Sequence, residues 1–152
     1  MNRTGVRTFE AAAFLRRCGA DITRVRKMFR DDMASYRAKA EAVRMAEVYR
    51  EQYAIAVCPS NIESPTVLAA QAANELLDIS GIKASFVLTI YEGKIYMSAR
   101  SIDEVNVQII AEKLGGGGHI NSAGAQFDHT NMDEAISALK ETIDKMIEEG
   151  DI

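Results

Sequence analysis

The 152-residue sequence is poor in the residues that mark secreted, membrane-spanning or metal-centred proteins. It holds two cysteines, Cys18 and Cys58, forty residues apart and in neither a metal-binding nor a redox spacing, so they are expected to be reduced thiols of a cytosolic protein. No run of about 18 apolar residues occurs, and the opening Met-Asn-Arg-Thr-Gly-Val-Arg has no signal-peptide core behind it. Histidine is almost absent: His119 and His129 stand ten residues apart, and no carboxylate or cysteine spacing completes a metal set around them. There is no nucleophile-elbow pattern, no internal repeat and no low-complexity tract beyond one glycine run. Disulfide scaffolds are therefore excluded. Disorder is excluded too, because 47% hydrophobic and 26% charged residues are an ordinary globular mix and a chain of this length can bury a real core.

What the sequence has, it distributes unevenly. The formal charge is −4, but residues 1–50 carry 12 Lys/Arg against 6 Asp/Glu, whereas residues 51–152 carry 6 against 16. A basic patch in the first third can either meet phosphate or form a solvated helix face. Glycine is clustered as well, with four of the ten at Gly115, Gly116, Gly117 and Gly118, directly before His119.

Hydrophobic periodicity divides the chain into an N-terminal helical segment over residues 1–50 and an α/β domain over residues 51–152. Thr8 is expected to cap a helix that stops at Gly19, and Asp21 a second helix that ends near Phe29. Asp32 to Arg50 is expected to be helical, with a thin apolar stripe of Met33, Tyr36, Ala40 and Val43. Such a stripe is too narrow to support a domain, and the abrupt start suggests a piece of a longer protein. From Tyr53 the pattern alternates: a buried strand to Val57, a polar loop, and a helix opened by Ser64 and Pro65 and running through Leu77. A hairpin follows, from Ala84 to Tyr91 and from Lys94 to Arg100 around Glu92-Gly93. Asp103 is expected to cap a helix with Val107, Ile110, Ala111 and Leu114 on its core side. A strand from Ala123 to Phe127 comes next, and Asn131 with Glu134 forms a capping box for a last helix with a Met132, Ile136, Leu139, Ile143, Met146 stripe. The fold class is therefore α/β, a mixed sheet of four to five strands flanked by helices and preceded by the N-terminal helical segment.

Four successive glycines can present backbone N–H groups unobstructed, as a phosphate nest requires, and His119 adds a side-chain donor. The run lacks the Lys-Ser/Thr ending and strand-to-helix context of a P-loop, and it lacks the Rossmann spacing. A flexible helix cap is the other reading of the run, and a surface or capping histidine that of His119. Arg100 is the only arginine after residue 50 and lies with Ser98 on the less apolar face of its strand. It is either a solubilising residue or, if its strand and the glycine run end at one edge of the sheet, one half of a phosphate grip completed by His119. Ser60, Asn61 and Ser64 follow the first strand, where ligands of open α/β sheets tend to bind.

The stretch Ile95-Tyr96-Met97-Ser98-Ala99-Arg100-Ser101, followed by Asn106-Val107 and by Glu112-Lys113-Leu114 and the glycine run to His119, closely resembles the C-terminal DHH-associated domain of the DHH-family phosphoesterases. Within that family it is most similar to the bacterial cyclic-di-AMP phosphodiesterases. Arg7-Thr8-Phe9-Glu10-Ala11-Ala12 and Gly19-Ala20-Asp21 resemble the segment joining the catalytic DHH half to the associated domain. The resemblance implies a two-half enzyme in which the DHH half holds two Mn²⁺ ions and the associated half binds nucleotide. This chain has no Asp-His-His motif, so only the binding role carries over. Gly115, Gly116, Gly117, Gly118 and His119 would meet a substrate phosphate, and Arg100 with Ser98 the phosphate or sugar. No catalytic or metal-ligating residue is assigned, and the chain alone is expected to be inactive. The resemblance further implies a cytoplasm-facing domain of a membrane-anchored parent, with cyclic-di-AMP or linear di-adenylate as its partner. Two alternatives stay open: an oligoribonuclease or single-strand exonuclease domain that binds short oligonucleotides, and a non-catalytic nucleotide-sensing or dimerisation module. A helical arm with an uncovered apolar stripe is suited to pairing with a second copy of the chain.

Overall fold

A computed structural model describes residues 4–102 and 104–152 and divides the chain into two compact units, Met1–Met33 and Ala34–Ile152. The first unit contains helices α1 (Val6–Arg17) and α2 (Ile22–Met28), neither of which buries a residue. The α1 cap differs from the expected Thr8. Gly5 is extended and accepts the Thr8 N–H at 3.0 Å, which places Thr8 inside the first turn. Asp21 does cap α2, its carboxylate accepting from the Thr23 and Arg24 amides.

The second unit is a six-stranded sheet of order β1-β2-β3-β4-β6-β5, where β1 is Glu47–Tyr49, β2 Tyr53–Val57, β3 Ala84–Tyr91, β4 Lys94–Ser101, β5 Gly117–His119 and β6 Ser122–Phe127. Its helices are α3 (Met33–Arg44), α4 (Pro65–Leu76), α5 (Val107–Lys113) and α6 (Met132–Glu149). The sheet is mixed as expected, since α4 crosses over to make β2 and β3 parallel and every other pair is antiparallel. The count exceeds the expected four to five strands because two three-residue edge strands join. One of them, β1, replaces the end of the helix expected to run to Arg50. Helix α3 stops at Arg44, and Glu47–Tyr49 pairs with β2 through a turn in which Arg50 and Glu51 both have positive φ.

Two cores flank the sheet. On one face Ile55, Phe86, Leu88, Met97 and Ala125 pack with Val107 and Ile110 of α5 and Leu139, Ile143 and Met146 of α6. On the other face Ala54, Ala56 and Val87 pack with Leu68, Ala69, Ala72, Ala73 and Leu76 of α4. Helix α3 joins this second core through Ala42, with Ala38 and Val43 alongside, and not through Met33, Tyr36 and Ala40 of the expected stripe. Lys39, on the packed side of this helix, is buried and reaches Glu75 at 3.0 Å. Asn131 and Glu134 form the reciprocal capping box of α6. Asp103 lies outside the described residues; the residue at the N-cap of α5 is Asn106, whose side chain accepts from the Gln108 amide.

Strand β1 is tied to α6 by polar contacts. Asp144 accepts from Arg50 Nε and Nη2 at 2.9 and 2.8 Å and from the Tyr49 hydroxyl at 2.8 Å, while Lys140 reaches Glu47 at 2.8 Å. The Arg50 bonds, then that of Tyr49, hold the Asp144 carboxyl below its ordinary 3.8. A depressed carboxylate pKa stabilises the fold above the unfolded value and loses that contribution as pH falls through the lowered one. The Tm gap between wild type and Asp144→Asn is thus expected to be widest at neutral pH and to close under acid below 3.8, as thermal melts across pH will show. In the core, Leu139→Ala removes a fully buried side chain and is expected to cost about 2–5 kcal/mol by urea unfolding.

Candidate functional site

The two faces of the sheet are covered unequally. Helix α4 buries Ser85, Val87 and Thr89 of β3, but the strand next to them, β4, alternates between buried Ile95, Met97 and Ala99 and half-buried Tyr96, Ser98 and Arg100. The same alternation continues in β6, with Ala123 and Ala125 buried and Ser122 and Gly124 half-buried. Helix α4 lies over β3 and reaches over β4, which leaves Tyr96, Ser98 and Arg100 half-buried at its border; beyond it, over β6 and β5, the same face is open.

The register sets them in rows. Arg100 pairs with Ser122, and Ser122 pairs on its other side with His119, so Arg100, Ser122 and His119 form one transverse row on one face. The next row is Ser98, Gly124 and Gly117. Arg100 is half-buried, which pulls its guanidinium pKa down from the ordinary value, yet an arginine keeps its charge. Its hydrogen bond is to a neutral neighbour, Nη1 donating to the Ala99 carbonyl at 2.8 Å, and no carboxylate pairs with it among the described residues. A partly desolvated cation without a counter-charge is costly unless an anion completes it. The turn that carries His119 into the row is fixed from three sides: the Val107 amide and the Ser101 hydroxyl donate to the Ile120 carbonyl at 3.0 and 3.3 Å, and the Ser101 amide to that of Asn121 at 3.3 Å.

The glycine run is not the open loop that the sequence suggests. The Gly115 and Gly116 amides close the end of α5 by donating to the Glu112 and Ala111 carbonyls at 3.0 and 2.7 Å, and Gly117–His119 forms edge strand β5. A Cβ on Gly116 would collide with the Gly124 carbonyl, and one on Gly118 would sit 2.5 Å from the Ala123 Cα, so these two glycines let β5 lie against β6. Gly117 differs. A Cβ there meets nothing within 4 Å and its φ is not in the left-handed region, so the fold does not require a glycine at this point of the open face.

Other candidates lie elsewhere. Val57 pairs with Leu88 and Leu88 with Met97, so Ser60, Asn61 and Ser64, which follow β2, stand at the opposite end of the sheet from Arg100. Ser64 is the N-cap of α4 but makes no side-chain capping bond. His129 follows the end of β6 remote from His119, and the two imidazoles do not converge. Both cysteines are free, and burial pushes the Cys58 thiol up to about 11. Ser122 and Gly124 escaped the sequence reading, for they acquire meaning only through the register that puts them between β4 and β5.

Residues 50–145 match the DHHA1 domain. The chain belongs to this family. It is 42% identical over 143 residues, 93% of its length, to the cyclic-di-AMP phosphodiesterase PdeA of Listeria monocytogenes, and 43% identical over 151 residues, 97% of its length, to the cyclic-di-AMP phosphodiesterase GdpP of Bacillus subtilis. The chain spans 22% and 23% of those two proteins, respectively. Its fold is that of an exopolyphosphatase-related protein from Bacteroides fragilis, with a TM-score of 0.81 at 21% identity over 95% of this chain and 45% of that one. Among the described residues of this DHHA1 domain no group of three or more His, Cys, Asp or Glu could hold a metal ion, and the open face offers one imidazole and no carboxylate. The residues present thus do not fit the two Mn²⁺ ions implied for the parent enzyme. No helix among the described residues is long and apolar enough to cross a membrane.

The glycines of this DHHA1 domain are expected to separate by experiment. Gly116→Ala should destabilise the fold by about 1–3 kcal/mol in urea unfolding through overpacking against β6, whereas Gly117→Ala should stay within about 0.5 kcal/mol of wild type.

Proposed function

We propose that this chain is the nucleotide-binding domain of a phosphodiesterase that hydrolyses cyclic-di-AMP to the linear dinucleotide, with the two Mn²⁺ ions and the activation of water belonging to a DHH half outside these residues. Residues 51–152 are the substrate-binding domain in this reading, and residues 1–50 the helical connection to the catalytic half. The family membership and the two cyclic-di-AMP phosphodiesterase relatives support it. The single observation that carries it is Arg100, a half-buried cation with no carboxylate partner among the described residues, in one row with Ser122 and His119.

Each residue then has a defined task. Arg100 supplies the counter-charge to a phosphate oxygen and can grip two oxygens with its planar fork. His119, exposed at the far end of the row, donates to the same phosphate from the opposite side. The Ser98 hydroxyl, one row away, reaches the phosphate or the sugar. Gly117 leaves the surface flat for the ligand, with Gly118 continuing the outer edge of β5, where alternate amides have no strand partner. Gly115 and Gly116 act indirectly by fixing where that strand starts. Charge builds up on the phosphate as hydrolysis proceeds, so donors held in place by a rigid sheet stabilise the transition state more than the ground state.

In the full-length enzyme, His119→Ala and Arg100→Ala are each expected to lower turnover of cyclic-di-AMP by about 10²-fold or more. Near-normal turnover in both would refute the assignment. Mn²⁺-dependent hydrolysis by the isolated 152-residue chain would refute the division of labour. A side-by-side assay of cyclic-di-AMP, linear di-adenylate and a short oligonucleotide is expected to rank cyclic-di-AMP first; preference for the oligonucleotide would turn the reading to an exonuclease.

A further inference from the structure

The face that carries Arg100 does not end at the serine and glycine row. Along β4 the side chains on that face are Arg100, Ser98 and Tyr96, spaced about 7 Å apart, so the Tyr96 row lies about 13 Å from the Arg100 row. The row between them is Ser98, Gly124 and Gly117, a floor with two missing side chains. Tyr96 is half-buried, and its ring lies 6.1 Å from that of Tyr91 at an interplanar angle of 59°, within the range of favourable tilted aromatic pairs. One strip of the sheet therefore presents a cation at one end, a smooth floor in the middle and a braced aromatic ring at the other.

We propose that Tyr96, braced by Tyr91, is the platform on which the nucleobase of the bound nucleotide stacks while its phosphate sits at Arg100 and His119. This rests on the phosphate-binding reading of the Arg100 row. The polarity of the strip matches that of a nucleotide: anion at one end, sugar in the middle, flat π-face at the other. A base stacked on an aromatic side chain gains from dispersion and from the exclusion of water from both faces, and every nucleobase has such a face, so Tyr96 confers affinity for nucleotides over plain phosphate esters.

Titration of the 152-residue chain, followed by amide chemical shifts, with AMP and with ribose 5-phosphate compares the same phosphate and sugar with and without a base. AMP is expected to bind roughly 10-fold or more tighter, to shift the Tyr96 and Gln126 amides in addition to those of Gly117 and His119, and to lose this advantage in Tyr96→Ala but keep it in Tyr96→Phe. Ribose 5-phosphate should bind wild type and Tyr96→Ala alike. Equal affinity of the two ligands for wild type, or an AMP affinity unmoved by Tyr96→Ala, overturns the stacking platform and leaves the phosphate site standing. If neither ligand shifts the Gly117 and His119 amides, the phosphate reading falls and the platform with it.

Discussion

The site depends on how closely two backbones can approach. Strand β5 is three residues long and would gain little from pairing if side chains held it away from β6. Hydrogen atoms at Gly116 and Gly118, where Cβ atoms would strike Gly124 and Ala123, let it close onto the sheet. That contact brings His119 beside Ser122 and hence level with Arg100, two strands away. The Ile120 carbonyl, held by Val107 and Ser101, then fixes the return of the chain into β6. The geometry of the Arg100, Ser122 and His119 row is thus a packing outcome, transmitted through backbone and requiring no salt bridge within the row.

Electrostatics complete what packing begins. Residues 51–152 carry a strong negative excess, so the field of the domain as a whole does not attract an anion. In the proposed reading, affinity for a phosphate comes from short range, where a partly desolvated guanidinium interacts far more strongly than an exposed one. Arg100 sits in that position because β4 is the boundary strand: its inner face packs against α5 and α6, and its outer face passes from under α4 into the open. An arginine one strand closer to α4 would be buried beneath the helix, and one strand further out would be more fully hydrated.

What could be read from the sequence was what neighbouring residues decide among themselves. The β3–β4 hairpin, the Asn131–Glu134 box, Pro65 at the start of α4 and the alternation along β4 are all local signals, and the structure has each of them. The two three-residue strands left no comparable trace. Glu47–Tyr49 has the composition to extend a helix, and it is a strand because β2 and Asp144 offer it partners from far along the chain. Gly117–His119 has no side-chain alternation to detect. Helix α3 misleads for a different reason: its packed face is built from Ala38, Ala42 and a paired lysine, while larger apolar residues point outward. Arg100 and His119 were separately visible as unusual residues, but their common row with Ser122 is a fact of strand order.

Both margins of the sheet are three-residue strands, β1 and β5, and the charged groups Glu47, Lys140, Arg50 and Asp144 cluster at the first of them. Long bare margins invite other chains to add strands, whereas margins this short, one of them ringed by charge, offer a poor template. The domain can therefore leave the polar face of β6 and β5 uncovered without offering a long bare edge to intermolecular sheet growth.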